Sequence, residues 1–260
     1  MKNYLFIVEG VQDIAVLAKY FKLNGYQKIE EEKDVPPIWK KFIPNIFPHN
    51  GKILQRVPVP TFFKSDDKSI AVYSANGDAN ILNTINATLS VLLDDELSAI
   101  GILCDADSKD AKTRYDGLMK VFEKNLENDL KHFIEDHSFC KISQNENCKF
   151  GVYVFPDNQS SGVLEDLLIE GAQYGYQEIL HHADVYLQQV EKESLSYIDF
   201  KSLTGSSRKK AIVGVIANVL KPGSSNQVSI ERNNWLNEDL LLEKGSYQNK
   251  FKNFLDEILV

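Results

Sequence analysis

Glu9, Asp105 and Asp107 are the residues of this chain best suited to do chemistry, because each stands at or just beyond the end of a short apolar run. Glu9 follows the run 4–8, and Asp105-Ala106-Asp107 follows the run 99–104. A carboxylate placed where a buried strand meets solvent is held rigidly, and carboxylates from two parallel strands can converge on one hard divalent cation. Three of them on one sheet edge repel unless a cation or a proton neutralises them. The pattern therefore predicts Mg²⁺ or Mn²⁺ bound through oxygen, with waters and a substrate phosphate completing the shell. Asp13 lies one helical turn beyond Glu9 and is a secondary candidate for the same pocket. Asp157, Glu165 and Asp166 follow a later apolar run and are candidates for a second cation, as in the two-metal clamp of many nucleases. Lys109, close behind the aspartate pair, is a candidate phosphate contact.

Several of these residues also have a purely structural reading. Aspartates at helix starts satisfy orphan N–H groups, which covers Asp78, Asp110 and, taken singly, Asp107. Glu165-Asp166 suits the first turn of a helix, where the dipole favours acids. A lysine in a turn is usually just solvated. The five histidines share no ligand spacing with acidic or cysteine partners and carry no role. The basic run at 206–210 (Arg208, Lys209, Lys210) suits either contact with a nucleic-acid backbone or plain solvation.

The elements that must position these groups read as repeated strand–turn–helix units. The run 4–8 predicts a buried strand, and Glu9-Gly10 turns into a helix over 12–23 that stops at Asn24-Gly25. A second strand over 69–74 passes through Asn76-Gly77-Asp78 into a helix over 79–93; a third over 99–104 precedes a helix over 110–134. A fourth strand over 150–155 runs into Pro156-Asp157-Asn158 and a helix opening at Val163. Successive βα units predict an α/β parallel sheet with helices on both faces, whose ligands sit beyond the carboxyl ends of the strands. Residues 27–68 hold six of the eight prolines and lack sustained periodicity, which predicts a long ordered insertion. Beyond residue 171 the pattern turns helical, over 174–194, 208–220 and 238–259, with a polar loop at 222–228. The predicted division is an α/β domain over 1–170 and a helical C-terminal part over 171–260.

With 260 residues and 43% apolar content the chain can bury a core without staples. Cys104, Cys140 and Cys148 show no metal-finger spacing, which predicts a reducing, cytoplasmic setting. No signal-peptide pattern and no run of about 18 apolar residues is present, so no membrane role is expected. The formal charge of −8 argues against a broad basic face that holds nucleic acid by counterion release. It leaves a metal-dependent nuclease open, because a cation inverts the field that a phosphate meets.

The segments Leu5-Phe6-Ile7-Val8-Glu9-Gly10-Val11-Gln12-Asp13 and Gly101-Ile102-Leu103-Cys104-Asp105-Ala106-Asp107 resemble the Toprim fold, the metal-binding module of topoisomerases, primases and several nucleases. Toprim proteins carry a Glu after the first strand and an Asp-x-Asp after the third, in that order, with a glycine turn where Gly77 stands. The segment from Gly151 to Asn158, followed by Gly162-Val163-Leu164-Glu165-Asp166, resembles a small stand-alone Toprim-like family of unestablished function. The resemblance covers roughly the first 170 residues. It implies a Mg²⁺-dependent enzyme that cuts nucleic-acid phosphodiesters, with Glu9, Asp105 and Asp107 as metal ligands or, for Glu9, as general acid or base. DNA and RNA stay equally open. A second class is a non-catalytic metal- or nucleotide-binding module working with a protein partner in a defence or repair assembly. A third is a phosphohydrolase of the haloacid-dehalogenase type, but that family places its aspartate pair after the first strand, with Thr or Val where Lys109 stands here.

Overall fold

The apolar run at the N-terminus becomes β1 (Lys2–Val8), buried from Tyr4 to Val8 and flanked on both sides by other strands. The computed structural model describes residues 1–46, 51, 53, 58–92, 96–127, 131–132, 134–145, 148–194 and 202–260. Its further strands are β2 (Gln27–Lys28), β3 (Thr61–Lys64), β4 (Lys68–Ser74), β5 (Ala99–Asp105), β6 (Ser143–Asn145) and β7 (Cys148–Phe155), in sheet order β2-β3-β4-β1-β5-β7-β6. The helices are α1 (Val11–Leu23), α2 (Pro37–Lys40), α3 (Ile81–Leu89), α4 (Ala111–Asn125), α5 (Leu164–Gly175), α6 (Gln177–Ser194), α7 (Gly205–Leu220), α8 (Asn226–Arg232), α9 (Glu238–Leu242) and α10 (Tyr247–Ile258). The fold is α/β, as the sequence predicts. Two compact units divide the chain: Met1–Cys104 with Tyr115–Tyr153 and Glu257–Val260, and Asp105–Arg114 with Val154–Asp256.

In the first unit β1 pairs in parallel with both β4 and β5, and Val8 is in register with Ser74 on one side and Leu103 on the other. These strands read as continuous apolar runs because both faces of a parallel sheet are covered. Phe6 lies opposite Gly101 in the register, and a Cβ at Gly101 would stand 2.5 Å from the Phe6 ring. Glycine is needed there because the phenyl ring already fills the position. Phe21 of α1 sits on the sheet against Phe63 and Phe6, with ring centroids 5.0 and 6.0 Å away.

The sheet is mixed rather than wholly parallel. β3 pairs antiparallel with β4, β2 with β3, and β6 with β7. The insertion over 27–68 supplies β2 and β3, so it extends the sheet. β2 has two residues and β6 reads Ser-Gln-Asn, so neither carries a period-2 apolar signal. The expected helix over 110–134 stops at Asn125, and that over 79–93 is limited to α3 behind a short 3₁₀ turn at Asp78–Asn80. The expected helix over 238–259 divides into α9 and α10 around Gly245, whose φ of +96° suits glycine.

The second unit is largely helical. α7 packs against α5, α6 and α8, and its buried Val213, Ile216 and Ala217 share this unit with the buried Leu167, Leu168, Ile230, Trp235 and Phe251. Among the described residues no helix is long and apolar enough to cross a membrane.

His137, in the first unit, lies edge-on to Phe150 with centroids 4.7 Å apart and also contacts the Tyr115 ring. Neither ring nitrogen makes a hydrogen bond. Burial without a partner disfavours the imidazolium and pushes its pKa down to about 4. The unfolded chain then binds the extra proton first, so stability should fall as pH drops from about 6.5 towards about 4. With a discount for partial exposure, we expect a loss of about 1 kcal/mol across that window. Urea denaturation at pH 7 and pH 5 should show the larger part of it, and His137→Phe should abolish this component.

Candidate metal centre

In the first unit, Glu9 follows the last residue of β1 and is half-buried. Its carbonyl accepts the Gly77 amide at 2.9 Å, which ties the turn after β1 to the turn after β4. Asp13 is buried, and its Oδ2 accepts the Gly10 amide at 2.8 Å at the start of α1. It satisfies an orphan donor at the helix start, a structural role that the sequence reading did not assign to it.

In the second unit, Asp105 ends β5 with its side chain almost fully buried. Its Oδ1 accepts the Leu164 amide at 2.8 Å, and its carbonyl accepts Arg114 Nε at 3.0 Å. The Leu164 amide thus fixes the carboxylate, and Arg114 fixes the main chain that carries it. Two residues on, Asp107 is exposed and adopts the left-handed conformation with φ +56°, which aspartate tolerates better than most residues. Its amide donates to the Gly162 carbonyl at 2.7 Å, while Ala106 donates to Phe155 at 3.2 Å. The Asp105–Asp107 turn is therefore sewn to the segment that opens α5, and the Gly162 turn is crowded: a Cβ there would meet Asp166 Oδ2 at 2.5 Å.

Asp166 accepts the Val163 amide at 2.9 Å and forms an ion pair with Lys209 at 2.6 Å. It caps α5 as Asp13 caps α1. Glu165, next to it, is buried. Asp157 is buried as well: its Oδ1 accepts the Ser160 and Gln159 amides at 2.7 and 3.1 Å, and its Oδ2 takes the Lys250 ammonium at 2.7 Å. Burial pushes its pKa up, but the Lys250 ammonium and the two amides outweigh it and hold the carboxyl below its usual value. Lys109 is exposed, in a turn where its amide donates to Ala106 at 3.2 Å. Asp110 is a cap: it accepts the Thr113 hydroxyl and amide at 2.7 and 2.8 Å, bonds that lower its pKa.

The structure thus brings Asp105, Asp107 and Asp166 to one stretch of main chain, residues 162–164. Among the described residues no group of three or more histidines, cysteines and acids is gathered tightly enough to hold an ion by itself. The donor chemistry does suit a hard cation, since Asp105 and Asp107 offer only carboxylate oxygens. Asp157 and Asp166 have ammonium partners instead. Sequence reasoning missed Lys250 altogether, because a lysine in a helical tail carries no signal of a partner 93 residues away. It met Lys209 only in a basic run, where Arg208 also pairs internally, with Asp184 at 2.7 Å and with Glu191.

The Lys250–Asp157 pair predicts an acid-sensitive contribution. A depressed carboxyl stabilises the fold fully above the unfolded pKa of about 3.9, and that contribution is lost as pH falls through the lower folded value. Lys250→Met leaves the buried carboxylate without its cation and should cost about 1–3 kcal/mol at pH 7, read from urea midpoints at constant m-value.

No curated protein matches the chain. Among solved structures it is similar to a hypothetical protein, PH0156, from Pyrococcus horikoshii OT3, at 16% identity and a TM-score of 0.56, covering 100% of this chain and 96% of that one. At that identity the likeness speaks for a shared fold alone. A family model described as "Protein of unknown function (DUF3226)" matches residues 3–260, and the chain belongs to that family.

Proposed function

We propose that the chain hydrolyses nucleic-acid phosphodiesters with Mg²⁺ or Mn²⁺, in the manner of Toprim nucleases, with Asp105 and Asp107 as cation ligands. The observation that carries this reading is the strand order. The chain leaves β1 for β4 on one side and returns to β5 on the other, so the carboxyl ends of β1 and β5 flank the reversal where open α/β sheets bind ligands. Glu9 and the aspartate pair follow those ends in sequence. Assigning Glu9 to the same centre rests on the resemblance to Toprim proteins.

When bound, a divalent cation would polarise the phosphoryl group and lower the pKa of a water. The protein's part is orientation. Asp105, held by the Leu164 amide, offers its carboxylate in a fixed direction, and the Gly162 hydrogen bond fixes the turn that carries Asp107. Glu9 would serve as a further ligand or move a proton at a phosphodiester oxygen. Asp157, Glu165 and Asp166 remain the candidates for a second cation, and Lys109 for a phosphate contact; the lysines paired with Asp157 and Asp166 make a single-cation centre the simpler form.

A second reading, a metal- or nucleotide-binding module that acts with a protein partner, is favoured by the net charge of −8, which leaves little basic surface for a nucleic-acid backbone. The test is cleavage of single- and double-stranded DNA and RNA with Mg²⁺ or Mn²⁺ by wild type, Glu9→Gln and Asp105→Asn. Metal-dependent cutting lost in both variants supports the nuclease; no cutting of any substrate by wild type favours the binding module.

A further inference from the structure

A groove of about 310 Å³ opens in the first unit at the carboxyl end of β4, lined by Phe42, Tyr73, Asn76, Asn80, Asn83 and Thr84 among others. We infer that it receives an unpaired nucleobase, so that the nucleic acid bound by this chain is single-stranded at that point. The inference deepens the nuclease reading and rests on it for the identity of the polymer.

The lining has the chemistry of base recognition. Phe42 and Tyr73 stand nearly perpendicular, with centroids 6.5 Å apart and planes at 79°, which leaves an aromatic corner. Tyr73 is anchored there by its hydroxyl, which donates to the Pro58 carbonyl at 2.8 Å. Both rings are half-buried. Base–aromatic stacking needs such a fixed π surface and tolerates any base. The polar lining is carboxamide and hydroxyl, with no carboxylate, ammonium or guanidinium among the lining residues. A neutral wall of this kind suits the edge of a base and is a poor site for a phosphate.

Asn83 is exposed on α3, and its side chain makes no hydrogen bond with the described residues. Its amide offers one donor group and one acceptor, the pattern that pairs with a base edge. The volume lies at the lower end of the range of small-molecule pockets, room for one base and its sugar. The location links the groove to Glu9: Ser74, in its lining, is in register with Val8, and the Gly77 amide donates to the Glu9 carbonyl at 2.9 Å. A base held in the groove would keep its backbone phosphate near the turn that carries Glu9.

The experiment is fluorescence anisotropy in EDTA with a labelled single-stranded DNA, its RNA counterpart and the blunt duplex, using wild type, Asn83→Ala and Phe42→Ala, each checked for an unchanged thermal midpoint. Single strands are expected to bind at least about tenfold more tightly than duplex, with a loss of about fivefold or more in each variant. Equal binding of single strand and duplex, or folded variants that bind like wild type, would overturn the inference. Mg²⁺-dependent cleavage is read separately. Cleavage of duplex that both variants retain would sink the groove and leave the nuclease standing. Groove-dependent single-strand binding without cleavage would sink the nuclease and leave the groove.

Discussion

Gly171→Ala should destabilise the protein by about 3–5 kcal/mol, although alanine is ordinarily the better helix former by about 1 kcal/mol. Gly171 lies inside α5, and a Cβ there would stand 1.9 Å from the Trp235 carbonyl oxygen and 2.6 Å from Gln248 Nε2. That oxygen accepts the Gln248 amide at 2.9 Å, and Gln248 in turn accepts the Asn237 amide at 2.8 Å, all in fully or nearly fully buried surroundings. The new methyl would push apart a backbone contact and strand buried polar groups, each worth about 1–3 kcal/mol when left unpaired. The thermal midpoint should fall by about 6–15 °C. Gly117 in α4 gives the opposite case, because it is exposed and a Cβ there meets nothing within 4 Å. Gly117→Ala should therefore raise stability by about 0.5–1 kcal/mol. Differential scanning calorimetry on the two variants checks both signs, and a neutral Gly171→Ala would mean that the α5 to Trp235 contact is looser than described.

On the proposed nuclease reading, Asp105→Asn should lower metal-dependent cleavage by about 10³-fold, since a lost ligand would forfeit several kcal/mol of transition-state stabilisation at about 1.36 kcal/mol per tenfold. The carboxamide oxygen can still accept the Leu164 amide, so the fold should survive with nearly unchanged stability. Asp13→Ala should behave the other way round. It removes a helix cap and about 1 kcal/mol of stability, while cleavage per folded molecule stays within about twofold. Steady-state cleavage rates beside urea denaturation separate the two effects. Equal losses of activity in both variants would show that Asp13 acts at the centre as well as at the helix.

The parts of the fold legible in the sequence were those whose side chains alternate or cluster for reasons of burial. β1, β4, β5 and β7 are apolar runs, and the helices that follow them are announced by Gly10, the Asn76–Asp78 turn, Asp110 and Gly162. β2 and β6 were hidden because they are held by main-chain pairing with a neighbour and need no apolar pattern of their own. The same holds for the site. Carboxylates at strand ends stand out in sequence, but their role depends on partners far along the chain: Lys209 neutralises Asp166 across 43 residues and Lys250 neutralises Asp157 across 93. Asp13 and Asp166 occupy equivalent places in α1 and α5, each accepting the amide three residues before it, and only the hydrogen bond shows that both are caps.

Direct Mn²⁺ titration of the wild-type protein, followed by isothermal calorimetry and by loss of the free-ion electron paramagnetic resonance signal, tests the central claim most closely. Saturable binding that weakens at least about tenfold in both Asp105→Asn and Asp107→Asn is the result expected for an oxygen-ligated cation at the end of β5. Binding that both variants retain, or no saturable binding by the wild-type protein, would contradict a metal centre built on these aspartates.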